Sequence, residues 1–371
     1  MSDKPDVIPG GALLAAALCL PLFARAEGVP EAATLSYKFL NYQDSQPAAQ
    51  RIRVNAPAFE LVLPMGDAWS IGAGHVVDTI SGASPAYHTE ALTKLHDRRR
   101  SSDVALTHYS DSTTLSLGAS YSSEADYISR GLNVGGTLSS ADKNTTWHAG
   151  LGLMHDTINP SNQIVYDEHK NVVDLSFGVD RVLSTHDLVQ MLAGLTHGSG
   201  YYSDPYKVFD ERPRERRQHT LLARWNHHID ATGASTHLSY RYYGDSFGIR
   251  AHTLAFEYIQ PLAGGWTISP SARIYTQSAA SFYVDLDPAA APFPTNPPDG
   301  ARYFSEEQRL AAYGGRGLGI KLAKQLGLDW RIDFKAERYQ QRASWTVGGS
   351  GSPNLAPFTA VSYQLGLVRR F

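Results

Sequence analysis

The feature that most constrains this chain is a hydrophobic period of two residues, clearest between Leu328 and Tyr339. One set of alternate positions is apolar and the other is charged: Leu328, Trp330, Ile332, Phe334 and Ala336 against Asp329, Arg331, Asp333, Lys335 and Glu337. Successive side chains of a β-strand point to opposite faces, whereas a 3.6-residue helical period would scatter both sets around the axis. The segment is therefore predicted to be a strand with one apolar and one charged face.

The same alternation recurs along the chain, for example over residues 115–122, 147–153, 173–180, 238–242 and 254–258. It defines about sixteen candidate strands, each long enough to cross a bilayer at a tilt. Short connections alternate with longer ones, the first of which is expected at residues 44–50, although the loops near Ser123 and Gly244 are also short. This asymmetry is typical of outer-membrane barrels. The sequence predicts an all-β fold, a transmembrane antiparallel up-and-down β-barrel.

The N-terminal segment has the pattern of a secretory signal. An apolar run beginning at Gly11 ends in Ala24-Arg25-Ala26, a small-residue cleavage motif. We expect residues 1–26 to be a signal peptide and residues 27–371 to form the barrel domain; a buried N-terminal helix is the alternative. The single cysteine, Cys19, lies inside the apolar run. Cleavage after Ala26 would leave a barrel with no disulfide and no thiolate metal site.

The C-terminus carries a second indication. Tyr363, Leu367 and Phe371 lie on one face of a final alternating segment that stops on the aromatic residue. This is similar to the terminal strand signal read by the barrel-assembly machinery, which we expect to be a partner, although Arg369 departs from its apolar preference.

Aromatic residues near strand ends predict interfacial girdles. One group is expected at the periplasmic rim and the other toward the outer rim: Trp69, Trp147, Trp225, Trp266 and Trp330, and Tyr121, Tyr242 and Tyr275.

Residues 200–283 contain a distinctive series of motifs. They include Gly200-Tyr201-Tyr202-Ser203-Asp204-Pro205, Ser239-Tyr240-Arg241-Tyr242-Tyr243 and Tyr275-Thr276-Gln277-Ser278. The stretch resembles a bacterial family known only as a domain of unknown function, family 3570. The resemblance implies a secreted outer-membrane barrel and implies no activity or catalytic residue.

The sequence offers no strong catalytic, cofactor or metal motif. A net charge of −3 does not indicate a nucleic-acid partner. The adjacent His227 and His228 would point to opposite faces of a strand, and neither a zinc-binding motif nor a Gly-x-Ser-x-Gly elbow occurs. We expect no catalytic, cofactor-binding or metal site and a non-enzymatic protein, with a barrel hydrolase as the less favoured alternative.

The charged faces of the predicted strands would line the barrel interior. The candidates are Asp174, Arg224, Arg241, Glu257, Arg273, Asp329, Arg331, Asp333, Lys335 and Glu337. Buried charges persist only when they are paired or hydrated. The favoured hypothesis is an outer-membrane channel, similar to a porin, for small polar solutes. The alternative is a plugged barrel that serves as a scaffold or surface receptor for an envelope partner. Outer-membrane lipid and lipopolysaccharide would surround either form. Whether the barrel also has a periplasmic partner is left open by the sequence.

Overall fold

The structure, a computed structural model, describes residues 28–47, 49–84, 93–207, 209–287 and 300–371. The predicted signal peptide lies outside these residues. The described chain forms a closed antiparallel barrel of sixteen strands, in which each strand pairs with its neighbours in sequence and the last pairs with the first. The predicted fold class and strand number are therefore confirmed.

The described residues contain eighteen strands, numbered in chain order. Sixteen form the barrel, and the two short strands β10 and β15 form a separate two-stranded sheet. Their bounds are β1 Thr34–Gln46, β2 Ala49–Met65, β3 Trp69–Ser84, β4 Thr93–Tyr109, β5 Thr113–Ser123, β6 Tyr127–Ser139, β7 Thr145–Ile158, β8 Glu168–Val182, β9 Asp187–Gly200, β10 Asp210–Glu211, β11 Glu215–Ile229, β12 Ala234–Asp245, β13 Arg250–Leu262, β14 Trp266–Gln277, β15 Phe304–Ser305, β16 Tyr313–Leu326, β17 Trp330–Arg342 and β18 Phe358–Arg370.

The two ends of the barrel differ in their connections. At the turn end, where β1 begins and β18 ends, short turns join the strands, such as residues 66–68 and 327–329. The loop end carries the longer connections. We name six of them: L3 (124–126), L4 (159–167), L5 (201–214), L6 (246–249), L7 (278–312) and L8 (343–357). The short third and sixth loops agree with the sequence. By contrast, the long loop expected at 44–50 is absent, since β1 ends at Gln46 and β2 begins at Ala49.

The two faces of the barrel wall have opposite character. In β17, Trp330, Ile332 and Phe334 are exposed large apolar side chains, and they alternate with the charged residues of the sequence pattern. The same holds in β5, where Leu115 and Leu117 are more than half exposed. Isolated apolar residues on a surface need no explanation, but a continuous apolar belt around a closed wall fits a lipid-facing surface.

Tryptophans mark the turn end of this belt. Trp69, Trp266 and Trp330 are the first residues of β3, β14 and β17, and Trp147 and Trp225 lie within a few residues of the same end. All five are exposed. Indole rings favour the boundary between hydrocarbon and water, so this ring of exposed tryptophans fits a membrane interface at the turn end.

The connections at the loop end pack on one another. Phe247 and Ile249 of L6 form a buried cluster with Ala280 and Leu310 of L7, and Tyr202 of L5 packs against it. The guanidinium of Arg216, a wall residue of β11 on the polar face, lies 4.5 Å from the ring centroid of Phe247. Because L6 and L7 contact the polar face of the wall, that face is the inside of the barrel.

Helical structure is confined to three single turns at 263–265, 308–310 and 343–345 within the described ranges. Among the residues that the structure describes, no helix has the length and apolar character required to cross a membrane.

Candidate functional site: the barrel interior and its mouth

The strand register shows where the candidate interior residues lie. Nine of them belong to barrel strands and occupy the polar face that contacts the inward-packed loops: Asp174, Arg224, Arg241, Glu257, Arg273, Arg331, Asp333, Lys335 and Glu337. Their role in passage or binding stays a prediction. Asp329 differs, because Gly327, with φ +65°, ends β16 in a turn and β17 begins only at Trp330. Asp329 therefore lies at the turn-end rim and not in the wall.

Three arginines dominate one side of the interior. Arg224, Arg241 and Arg273 lie on β11, β12 and β14, and all three are exposed. Exposure of a residue inside a closed wall means that solvent reaches it within the barrel. None of the three has an ion pair or a side-chain hydrogen bond among the described residues; Arg273 only faces the Tyr275 ring at 5.9 Å. They form the arginine patch of the interior.

Small residues surround the arginine patch. Along the register, Arg224 pairs with Ser239, Ser239 with Ala255, Ala255 with Arg273, and Arg273 with Gly317. The position that a Cβ would occupy at Gly317 is 3.6 Å from the Cβ of Arg273 and 3.8 Å from Oε1 of Glu337. Serine, alanine and glycine leave space in front of the guanidinium groups, so the patch can meet a solute.

Four of the interior acids, unlike the three arginines, have close partners. Asp180 lies 3.1 Å from His148, Glu257 lies 3.4 Å from His237, and Asp174 accepts a hydrogen bond from the Thr196 hydroxyl. On β17, Lys335 and Glu337 form an ion pair with a 2.7 Å separation. Several interior acids thus have close partners, whereas the three arginines of the patch form no salt bridge among the described residues, and Arg224 attracts Asp180 only at longer range.

The predicted aromatic belt toward the loop end needs one correction. Tyr121 and Tyr242 lie on the apolar face, as expected. Tyr275 lies instead on the polar face with Arg273, and its hydroxyl donates a hydrogen bond to Gln277 at 2.5 Å. The segment alternates with a period of two, but its apolar face is formed by Ala272 and Ile274. Tyr275 therefore lies on the other face and points inward.

A loop network crosses the mouth of the barrel, and sequence reasoning did not find it. Tyr206 of L5 donates a hydrogen bond to Asp126 of L3 at 2.9 Å, although β6, β7, β8 and β9 lie between the two loops. Lys207 of L5 lies 2.6 Å from Glu307 of L7, across β11 to β14. These contacts span large parts of the circumference, so L5 and L7 extend over the opening.

The network is anchored between β10 and β15. Asp210 of β10 receives hydrogen bonds from Ser305 at 2.6 Å and from the Arg212 guanidinium at 2.6 and 3.1 Å. The rings of Phe209 and Phe304 lie 4.8 Å apart beside this pair. Both contacts join L5 to L7, so the two loops form one packed unit.

Buried charges hold L7 in place. Burial alone would raise the pKa of Glu307, but Arg309, Lys207 and Arg212 hold it well below the usual glutamate value. Its neighbour behaves in the opposite way: burial, together with the carboxylates of Glu307, Asp210 and Asp204, raises the pKa of Glu306 to about 7 in spite of Lys207. The pKa values of the two adjacent glutamates are therefore displaced in opposite directions from the usual glutamate value.

The predicted assembly signal forms the closing strand. β18 pairs with both β17 and β1, and Tyr363 and Phe371 are exposed. The backbones of Phe371 and Ala33 exchange two hydrogen bonds of 3.0 and 3.1 Å, which seals the seam at the turn end. Arg369, the departure from the motif, lies 5.1 Å from the Trp330 ring and 5.6 Å from the Phe371 ring. Recognition of this strand by the assembly machinery stays a prediction.

Comparison of the chain with protein families gives one match. The profile described as "Protein of unknown function (DUF3570)" matches residues 88–364. The chain belongs to this family. A search of curated proteins finds no significant match. The predicted family resemblance is thus confirmed, and it extends well beyond the 200–283 stretch that first indicated it.

Solved structures show the same architecture at low identity. A structure titled "Bacterial polysaccharide outer membrane secretin" shares 10% identity at a TM-score of 0.55, over 94% of this chain and 100% of that one. OccD3 (OpdP) of Pseudomonas aeruginosa shares 11% identity at a TM-score of 0.44, over 99% and 95%. The "CymD monoaromatic hydrocarbon channel" shares 9% at 0.46, over 92% and 89%. The first of these shows that the DUF3570 chain has the fold of an outer-membrane β-barrel.

Proposed function

We propose that this DUF3570 protein is a channel of the Gram-negative outer membrane that passes small polar solutes and prefers anions. The single observation that carries the proposal is the arginine patch: three interior guanidinium groups reach solvent and form no salt bridge or side-chain hydrogen bond among the described residues, although Arg224 attracts Asp180 at longer range. A guanidinium pairs well with carboxylate and phosphate groups. The solute class is therefore a small organic or inorganic anion.

The location of the patch supports passage. Arg241 and Arg273 each lie in the middle of a 12-residue strand, so a solute that crosses the barrel passes them. A charged, low-dielectric cleft concentrates ions of opposite sign and raises their rate of entry. Because no carboxylate forms a salt bridge with these arginines among the described residues, a bound anion gains attraction without first breaking such a pair. Conduction also requires release, and hydrated arginines bind weakly enough to permit it.

A specific observation favours the second candidate, a barrel closed at its mouth that acts as a surface receptor. L5 and L7 cross the opening and are joined by buried ion pairs such as Lys207–Glu307. Loops held this rigidly could present a binding surface. The two candidates differ in one measurable respect, since a closed barrel conducts no ions.

Planar-bilayer recording of the purified full chain tests the proposal. The wild type should give stable conductance, and its reversal potential in a KCl gradient should indicate chloride preference. Neutralising the patch with Arg224→Gln, Arg241→Gln and Arg273→Gln together should lower the chloride-to-potassium permeability ratio by about threefold or more, because the local anion concentration falls. The matched control is Arg130→Gln, which removes one positive charge from the apolar, outward face of β6.

Two results would contradict the proposal. A wild-type protein that never conducts at any applied potential would favour the receptor. If the triple variant conducts with the same chloride-to-potassium permeability ratio as the wild type, the protein is still a channel, but the arginine patch does not determine its selectivity.

A further inference from the structure

Three carboxylates meet at the loop end of the wall. Asp97 belongs to β4, and Glu124 and Asp126 belong to L3, the three-residue connection between β5 and β6. Each offers an oxygen atom that lies within 4.8 Å of the oxygens of the other two. None of these residues takes part in the arginine patch or in the Lys207–Glu307 contact.

The carboxylates are buried, and part of their hydrogen-bonding capacity is unused. Asp97 and Asp126 are only 4% and 6% exposed. Oδ1 of Asp97 accepts a hydrogen bond from the backbone N–H of Arg98 at 2.7 Å, and Oδ2 of Asp126 accepts one from the Tyr206 hydroxyl. The second oxygen of each, Oδ2 of Asp97 and Oδ1 of Asp126, is buried with no donor among the described residues. Such oxygens are rare unless something else satisfies them.

Positive charge near the cluster is insufficient. The guanidinium of Arg99 binds Oδ2 of Asp78 at 2.6 Å, and its distance to Glu124 is 4.0 Å. Like charges this close in a buried place require a proton or a cation between them.

We propose that Asp97, Glu124 and Asp126 form a binding site for one Ca²⁺ ion. Calcium takes carboxylate oxygens at about 2.3 to 2.6 Å, so oxygens on opposite sides of the ion are about 4.6 to 5.2 Å apart. The three oxygens lie within 4.8 Å of one another, so none of them is too far from the others to share one ion. Calcium also accepts irregular, flexible coordination, which suits two ligands from a short loop and one from a strand.

The site has a structural consequence for the mouth of the barrel. Asp126 holds Tyr206 of L5, and the Tyr206 hydroxyl also accepts a hydrogen bond from the backbone N–H of Ser161 in L4 at 3.0 Å. An ion bound to Asp126 would therefore fix the point where L3, L4 and L5 meet. The proposal is independent of the channel function, because it would hold for a receptor as well.

Calorimetric titration of the EDTA-treated, refolded full chain in detergent with CaCl₂ tests the site. We expect one ion per chain with a Kd on the order of 10⁻⁴ to 10⁻³ M. Asp97→Asn and Glu124→Gln, which keep the side-chain shapes, should each weaken binding by about tenfold or more, since affinity follows the ligand charge. Asp111→Asn, an exposed acid in a turn at the opposite end, is the matched control and should bind as the wild type does.

Thermal unfolding separates the ion from a shared proton. If calcium occupies the site, CaCl₂ raises the Tm of the wild type, and the same CaCl₂ concentration raises the Tm of Glu124→Gln by a smaller amount. The proposal is overturned if the wild type takes up no calcium, or if both carboxamide variants bind it as tightly as the wild type. It is also overturned if Glu124→Gln raises the Tm in EDTA and CaCl₂ leaves the Tm of the wild type unchanged. In that case a proton shared between the carboxylates is enough to neutralise the cluster. The heat-dependent gel shift of folded barrels verifies that each variant is folded.

Discussion

The Nζ atom of Lys207 lies 2.6 Å from Oε2 of Glu307, and this pair joins L5 to L7 over the barrel interior. Both side chains are largely buried, at 14% and 5% exposure. Removal of one partner from a buried pair leaves the other charge without compensation, which is more costly than loss of an exposed pair. The pair is therefore a place where a single substitution should change the mouth of the barrel and leave its wall intact.

Replacement of Lys207 by methionine should loosen the L5–L7 unit. The free energy of local opening should fall by about 2 kcal/mol, because Glu307 would lose its nearest cation from L5 but keep the Arg309 guanidinium at 3.1 Å. Hydrogen exchange reports this through the amides of Ser305 and Leu310, which donate to Phe282 and Glu307 carbonyls within L7. The control is Arg217→Gln, whose pair with Glu215 is exposed and should change protection by about 0.5 kcal/mol or less. Equal protection in Lys207→Met and the wild type would show that the pair does not hold the loops.

The same unit should respond to pH through Glu306. Its folded pKa of about 7 is above the ordinary glutamate value of 4.5, so the packed loops bind a proton that the opened loops release. The packed state is therefore most stable below pH 4.5, loses stability as the pH rises from 4.5 to 7, and has lost this contribution above 7. Protection of the Ser305 amide, corrected for intrinsic exchange, should fall at least about tenfold between pH 5 and pH 8.

Glu306→Gln supplies the control for this pH effect. A neutral amide resembles the protonated glutamate, so the variant should keep the low-pH protection at pH 8. The neighbours Lys207, Glu307, Asp210 and Asp204 remain in place, and any pH dependence that persists in the variant must be assigned to them. A wild-type profile flat from pH 5 to pH 8 would refute the prediction.

The size of the interior beside the arginine patch can be probed at Gly317. This glycine faces inward opposite Arg273, and a bulky side chain would project into the space in front of the guanidinium. Gly317→Phe should reduce single-channel conductance by about half or more while the barrel still folds. The matched control is Leu318→Phe, the next residue on the outward face, which is 68% exposed and should leave conductance unchanged. Equal conductance of both variants and the wild type would place the solute path elsewhere.

The sequence predicted the barrel wall because its information is local. Lipid-facing and interior side chains alternate at adjacent positions, so a pattern such as Trp330 to Glu337 identifies strand and face together. The pattern could not place Asp329 in the turn, since only the backbone at Gly327 decides where β17 begins. It was also insufficient at Tyr275, an aromatic residue that belongs to the polar face.

The loop network could not be predicted in this way. Tyr206 and Asp126 are 80 residues apart, and Ser305 and Asp210 are 95 apart. No periodic signal links such positions, because the loops meet only after the barrel closes. One local indication existed: Glu124 and Asp126 flank a short loop, but nothing in the sequence places Asp97 beside them. The three acids become a candidate site only through the pairing of β4 with β5.

The membrane assignment itself can be tested on a pair of adjacent wall residues. Ile320 lies near the middle of β16 on the apolar face and is 47% exposed, whereas Lys321 follows it on the interior face. Ile320→Arg should reduce the free energy of unfolding from lipid vesicles by about 2 to 4 kcal/mol, because it places a charge in the hydrocarbon region. Lys321→Gln should cost far less, since its side chain stays in a polar interior. If both substitutions cost the same small amount, the apolar face does not meet lipid, and the orientation of the wall on which the proposed channel depends is wrong.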